Sequence, residues 1–254
     1  MSETGRYMYA ISRGIDPTAL DATRGLDDGK LAVVEHRGLS AVVSDVDLAE
    51  FGEDGLRRNL EDLGWLERVA RGHDTVVQAV AQLGPAAPLR LATICLDDDA
   101  VRARLDEWYD GLTAALDRVE GRREWSVKAF APVRAAAERP AATTASGAGA
   151  AYLQRKRTET LDRQQAEQQA LELAESVHAR LSSRSVASRR LQPQDPKLSG
   201  FEGTMTLNGA YLVGVEEEAE FAAVAEALAA EHPEARLVIH GPWPPYSFAT
   251  LEQT

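Results

Sequence analysis

Short apolar runs open the chain, and a three-to-four residue periodicity follows them. Tyr7–Ile11 is short, aromatic and β-branched, which predicts a strand. Leu31–Glu35 and Leu39–Ser44 are two further runs, and His36-Arg37-Gly38 between them predicts a tight hairpin. Leu56, Leu60, Leu63, Leu66, Ala70, His73, Val77 and Val80 then fall at helical spacing, predicting one long helix that Gly84-Pro85 stops. Pro88–Leu96 reads as a short buried strand. Asp97 offers an N-cap to a second helix, whose stripe runs through Val101, Leu105, Trp108, Leu112, Leu116 and Val119 to Gly121.

A domain boundary is expected near Gly121, giving an N-terminal α+β domain over 1–121 and a second domain over 122–254. Trp125–Phe130 alternates like a strand. Ala135–Ala151, rich in Ala, Thr, Ser and Gly, reads as a mobile loop. A long polar helix runs from Tyr152 to about Leu181 on a narrow stripe of Ala166, Ala170, Leu173, Val177 and Leu181. Ser185–Leu191 has the character of a strand, and Gln192–Gly203 that of a turn-rich connection. Thr204–Val215 is a strand carrying Asn208-Gly209, a signal for a bulge or a turn. Glu216–Glu231 is a helix with Phe221, Val224 and Leu228 inward, and Ala235–His240 the last strand. Strand–helix–strand–strand–helix–strand is the split βαβ order of ferredoxin-like domains. The expected class is therefore α+β, two domains, the second ferredoxin-like and ending in a tail rich in Pro and aromatic residues.

Charge narrows the partners. The net charge is −12, but residues 121–200 carry net +6, between stretches of −10 and −8. An acidic chain repels nucleic acid and anionic lipid, so neither is expected as a partner. Cys95 is the one cysteine, which excludes an internal disulfide and a cysteine metal cluster and fits a reducing compartment. Met1–Arg6 lacks a signal-peptide pattern, and no apolar run approaches the ~18 residues needed to span a bilayer. A cytoplasmic location is the expectation.

No catalytic constellation emerges. Asp97-Asp98-Asp99 reads as a helix N-terminus, where carboxylates favour the dipole, rather than a cation loop. His73 and Asp74 are adjacent in a helix and point about 100° apart, so His73 reads as a core or interface residue rather than a base. His36, His178, His232 and His240 have no metal spacing. Ser146-Gly147-Ala148-Gly149 lacks the phosphate-loop patterns and reads as a hinge. Cys95 has no base nearby in sequence and no serine sits in a nucleophile elbow. No catalytic residue, metal or cofactor is therefore expected, and the chain reads as a non-enzyme. Two segments are candidates for binding a partner. Arg155-Lys156-Arg157 is either a solvated face paired with Glu159 and Asp162 or a docking surface. Pro242-Trp243-Pro244-Pro245-Tyr246 cannot continue a sheet interior; it reads as a tail covering the core, compatible with aromatic contacts to a partner.

Several segments together resemble the gas vesicle protein GvpL/GvpF family. They are Tyr7–Ile11, Leu39–Ser44, Leu63-Gly64-Trp65-Leu66 with Ala70–Asp74, Pro88–Thr93, Glu124–Lys128, Gly149–Leu153 and Gly241–Phe248. They span nearly the whole chain in order. Leu91-Ala92 departs from the Phe-Gly that the family often carries, and Gly72 in the helix is a second departure. The resemblance implies an accessory or minor shell protein needed to form gas vesicles, cytoplasmic or shell-associated. It implies that partners are the small, very apolar main shell protein and other accessory proteins, with no catalytic residues. Tyr152, Arg155, Arg157, Trp243 and Tyr246 are the candidate contacts. The rival readings are a small-molecule-sensing regulatory module and a hydrolase using His73 with an Asp.

Overall fold

The computed structural model describes residues 3–131, 148–194, 203–233 and 235–249. The chain forms two compact units, Met1–Glu124 with Pro242–Thr254, and Trp125–Gly241. The tail, expected with the second domain, thus groups with the first unit.

The first unit is built on β1 (Thr4–Ser12), flanked by β3 (Leu39–Asp47) and by β4 (Ala87–Pro88) with β5 (Ile94–Cys95), while β2 (Leu31–His36) lies outside β3. Pairing is antiparallel, and the β2–β3 hairpin closes at His36 opposite Leu39. Its two loop residues, Arg37 and Gly38, have φ of 52° and 80°, the left-handed values that match the strand twist. From Tyr7 to Ser12 every residue of β1 is buried. Successive strand residues face opposite ways, so both faces of this strand are covered.

The stretch expected as one helix from Leu56 is divided between α2 (Glu53–Asn59) and α3 (Leu63–Leu83), and the short α1 (Leu48–Phe51) precedes them. The break falls at Asp62, whose carboxylate accepts from the N–H groups of Gly64 and Trp65 and so starts a new helix. Leu60 and Leu63 keep the spacing but are exposed; Trp65, Val69, His73, Val76, Val77 and Val80 face the core. They pack with Tyr7, Tyr9, Val42, Val46 and Phe51. Helices α4 (Asp98–Glu107) and α5 (Tyr109–Val119) follow, with Asp97 capping α4 as expected through the Ala100 N–H. Trp108 separates them, and Gly121 adopts φ 66° after α5.

Pro88–Leu96 does not form the expected continuous strand. Both ends pair with β1, and Leu89 N–H and Thr93 C=O bond to its Tyr9 C=O and Met8 N–H. Between them the chain arches away through Ala92, at φ 59°, whose N–H is held by the Tyr7 hydroxyl at 3.1 Å.

In the second unit β6 (Arg122–Ala131), α6 (Ala148–Ser182), β7 (Ala187–Arg190), β8 (Thr204–Gly214), α7 (Glu218–Glu231) and β9 (Arg236–Trp243) follow in order. The sheet order is β7-β8-β6-β9. Val127, Ala129, Leu207, Tyr211 and Val213 from the strands pack against Ala174, Val177 and Leu181 of α6 and Phe221, Ala225 and Leu228 of α7. Strand β8 runs straight through Asn208-Gly209 in regular register with β7. Gly209 serves close approach: a Cβ there would lie 2.6 Å from the Tyr211 hydroxyl. The expected loop at 135–151 lies outside the described residues up to 147, and its last four positions belong to α6. Most of the connection at 192–203 also lies outside them. Strand β9 reaches Trp243, past Pro242, which an edge strand tolerates.

Candidate functional site

The arch at 89–93 opens a groove in the first unit. Its volume is about 410 Å³. Ala70 and His73 of α3 line it, with Ala87–Leu91 and Thr93 of the arch, Trp108 and Leu112, and Tyr246 and Ala249 of the tail. The surface is mostly hydrocarbon, with an indole and a phenol at its margins.

The tail is fastened as a wall of this groove. Phe248 and Ala249 are buried. The Glu124 carboxylate accepts from the Ser247 N–H at 2.7 Å and from the Ser247 hydroxyl at 2.6 Å. Arg118 donates to the Phe248 carbonyl at 2.9 Å, and the Tyr246 hydroxyl donates to Asp74 at 3.0 Å. Burial, reinforced by the Asp74 charge, pushes the Tyr246 phenol well above its ordinary pKa, so it stays a neutral donor.

His73 is 3% exposed. Its Nδ1 lies 3.0 Å from the Tyr7 hydroxyl, within a cluster of Tyr7, Tyr9, Phe51 and Trp65 rings. Burial lowers its pKa to about 4, which the Asp74 charge and the Leu89 backbone only partly oppose. The ring is therefore neutral near pH 7. Tyr7 is raised in turn by desolvation. Asp74 is engaged by Tyr246 and Gln78 and does not hydrogen-bond His73. The geometry is that of a buried polar pair anchoring α3 to β1. Cys95 is buried, with its thiol raised by burial and its sulfur 3.5 Å from Met8 Sδ. Among the described residues no three His, Cys, Asp or Glu side chains converge to hold a metal ion.

The five candidate contacts are divided between the two units. Trp243 is 41% exposed at the end of β9 and Tyr246 is 36% exposed at the groove. Residues 152, 155 and 157 lie in the first turns of α6, in the other unit. Arg157 is exposed; the side chains of Tyr152 and Arg155 lie outside the described residues. Tyr246, a candidate contact from the sequence, lines the groove, which the sequence reading did not anticipate.

A family model described as gas vesicle synthesis protein GvpL/GvpF matches residues 5–250. The chain belongs to the GvpL/GvpF family. Membership implies a role in gas vesicle formation. Gas vesicle protein L of Streptomyces sp. (strain CB03234) is 37% identical over 251 residues, 98% of this chain and 94% of that protein. Gas vesicle protein F of the same strain is 26% identical, over 95% of this chain and 98% of its own length. The crystal structure of GvpF from Anabaena sp. PCC7120 superposes with a TM-score of 0.69 at 20% identity, covering 98% of both chains. This member thus has the family's mixed helical and antiparallel-sheet fold. No helix among the described residues is long and apolar enough to cross a membrane.

Proposed function

We propose that this GvpL/GvpF member is an L-type accessory protein that promotes gas vesicle assembly by binding the apolar main shell protein and other accessory proteins, without catalysis. The observation that carries the reading is the 37% identity to a protein L against 26% to the protein F of the same strain. The shell-associated, cytoplasmic location belongs to the same proposal.

The physical logic is that of a holder. An apolar shell subunit aggregates before assembly unless its surface is covered. An acidic carrier with an open, mostly hydrocarbon groove suits that task, and the groove beside Tyr246 is the surface we assign to it. Trp243 supplies an exposed ring, and the start of α6 with Tyr152, Arg155 and Arg157 supplies a basic contact for acidic partners. A ferredoxin-like second domain is supported by the element order βαββαβ and by sheet order β9-β6-β8-β7.

Complementation tests the assignment. In the Streptomyces strain, this gene should restore vesicles to a mutant lacking protein L and not to one lacking protein F. Rescue of the F mutant alone would reverse the assignment. A pull-down should retain the shell protein, and Leu91→Glu in the groove should release it. Undiminished retention by that variant moves the binding surface elsewhere. A melting shift with a small metabolite and no shell-protein retention would favour the rival sensing module.

A further inference from the structure

Helix α6 carries a second, outward stripe that takes no part in the core of its own unit. The core stripe passes through Ala174, Val177 and Leu181. On the side turned away lie Arg157, Leu161, Gln164, Gln168, Leu171 and Glu175, every one exposed. Leu161 is 64% and Leu171 52% exposed. Their spacings are 4, 3, 4, 3 and 4, the repeat of a coiled-coil seam. A lone helix in water has no reason to keep this alternation.

The stripe is also a near-palindrome about residue 166. Laid antiparallel on a second copy, Leu161 meets Leu171 of the other chain, Gln164 meets Gln168, and Arg157 meets Glu175, each twice by symmetry. Charge agrees with that direction. Residues 155–163 hold four cations and two carboxylates, whereas 164–176 hold Glu167, Glu172 and Glu175 and no cation. A parallel pairing would set Arg157 on Arg157 and Glu175 on Glu175. The Glu175 carboxylate already pairs with Arg190 at 2.6 Å and remains largely exposed, so it has room for a second cation.

We propose that α6 is a homotypic docking surface, through which two copies of the protein associate by antiparallel pairing of the Leu161–Leu171 stripe. This goes beyond the accessory role, because it needs no other gas vesicle protein. Two leucine layers, two glutamine layers and two rim ion pairs make a weak, reversible contact that forms at high local concentration.

Disulfide trapping tests it in the full chain. Cys95 is buried and is replaced by Ser. Leu161→Cys and Leu171→Cys are made separately on that background, at exposed positions that do not disturb the core. On mild oxidation the mixed pair should cross-link at least several-fold more than either variant alone. Equal cross-linking in all three samples means random collision and overturns the proposal, and preferential 161–161 linkage overturns the antiparallel direction. Sedimentation gives an independent reading: dimer should grow with concentration and vanish in Leu161→Glu. Arg157→Glu and Glu175→Arg should each weaken dimerisation alone, and their equimolar mixture should recover it. A protein that stays monomeric at all concentrations overturns the proposal.

Discussion

Ala92 holds φ at 59°, a conformation that costs an L-residue roughly 1–2 kcal/mol and glycine almost nothing. Glycine also loses more freedom on folding, so Ala92→Gly should raise stability by a net gain of up to about 1 kcal/mol, read by denaturant unfolding. His73 gives a pH signature. Its folded pKa of about 4 lies below the unfolded 6.5, so the unfolded chain binds more protons between these values. Its contribution is present above pH 6.5 and lost as pH falls toward 4, about 3 kcal/mol in all. Melting temperature should drop over that window, and His73→Gln should flatten the drop relative to the parent. An equal drop in both proteins would assign the acid sensitivity to carboxylates alone.

Elements were legible where local chemistry agreed with burial. The β2–β3 hairpin combines two β-branched runs with a Gly loop, and the Asp97 cap precedes its helix directly. The long first helix was misread because Leu60 and Leu63 continue the spacing across a break set by Asp62. Periodicity counts apolar residues and is blind to a cap inside the pattern. The strand over Pro88–Leu96 failed for a related reason: the run is apolar because it lines a groove and caps β1, not because it is extended throughout. That groove was invisible in sequence, since its walls come from 70–73, 87–93, 108–112 and 246–249. In β8 the Asn-Gly signal suggested a turn or a bulge, whereas Gly209 is there to admit the Tyr211 ring, whose hydroxyl lies 2.9 Å from His178 Nδ1. Gly209→Ala should therefore cost about 1–3 kcal/mol by overpacking, with little loss in Gly209→Ala/Tyr211→Leu relative to Tyr211→Leu.

At the scale of the molecule, the expected two-part division met one surprise, the return of the tail to the first unit. Sequence order alone placed it with the strand it follows, whereas buried Phe248 and Ala249 and the bonds of Glu124 to Ser247, Arg118 to Phe248 and Tyr246 to Asp74 tie it to the first unit. Stopping the chain after Trp243 should thin hydrogen-exchange protection in β1 and α3 while leaving β7 and β8 protected. Glu124→Ala should do the same to a smaller degree, costing about 1–3 kcal/mol by leaving the Ser247 donors unmatched.

The arrangement also orders events during synthesis. A nascent chain that has just emerged through Glu124 holds every strand of the first sheet but not Phe248 or Ala249. Those arrive only after the whole of Trp125–Gly241 has been translated, so the part of the protein made first is the part closed last. Until that stretch and the tail behind it have been made, the groove stands without its final wall.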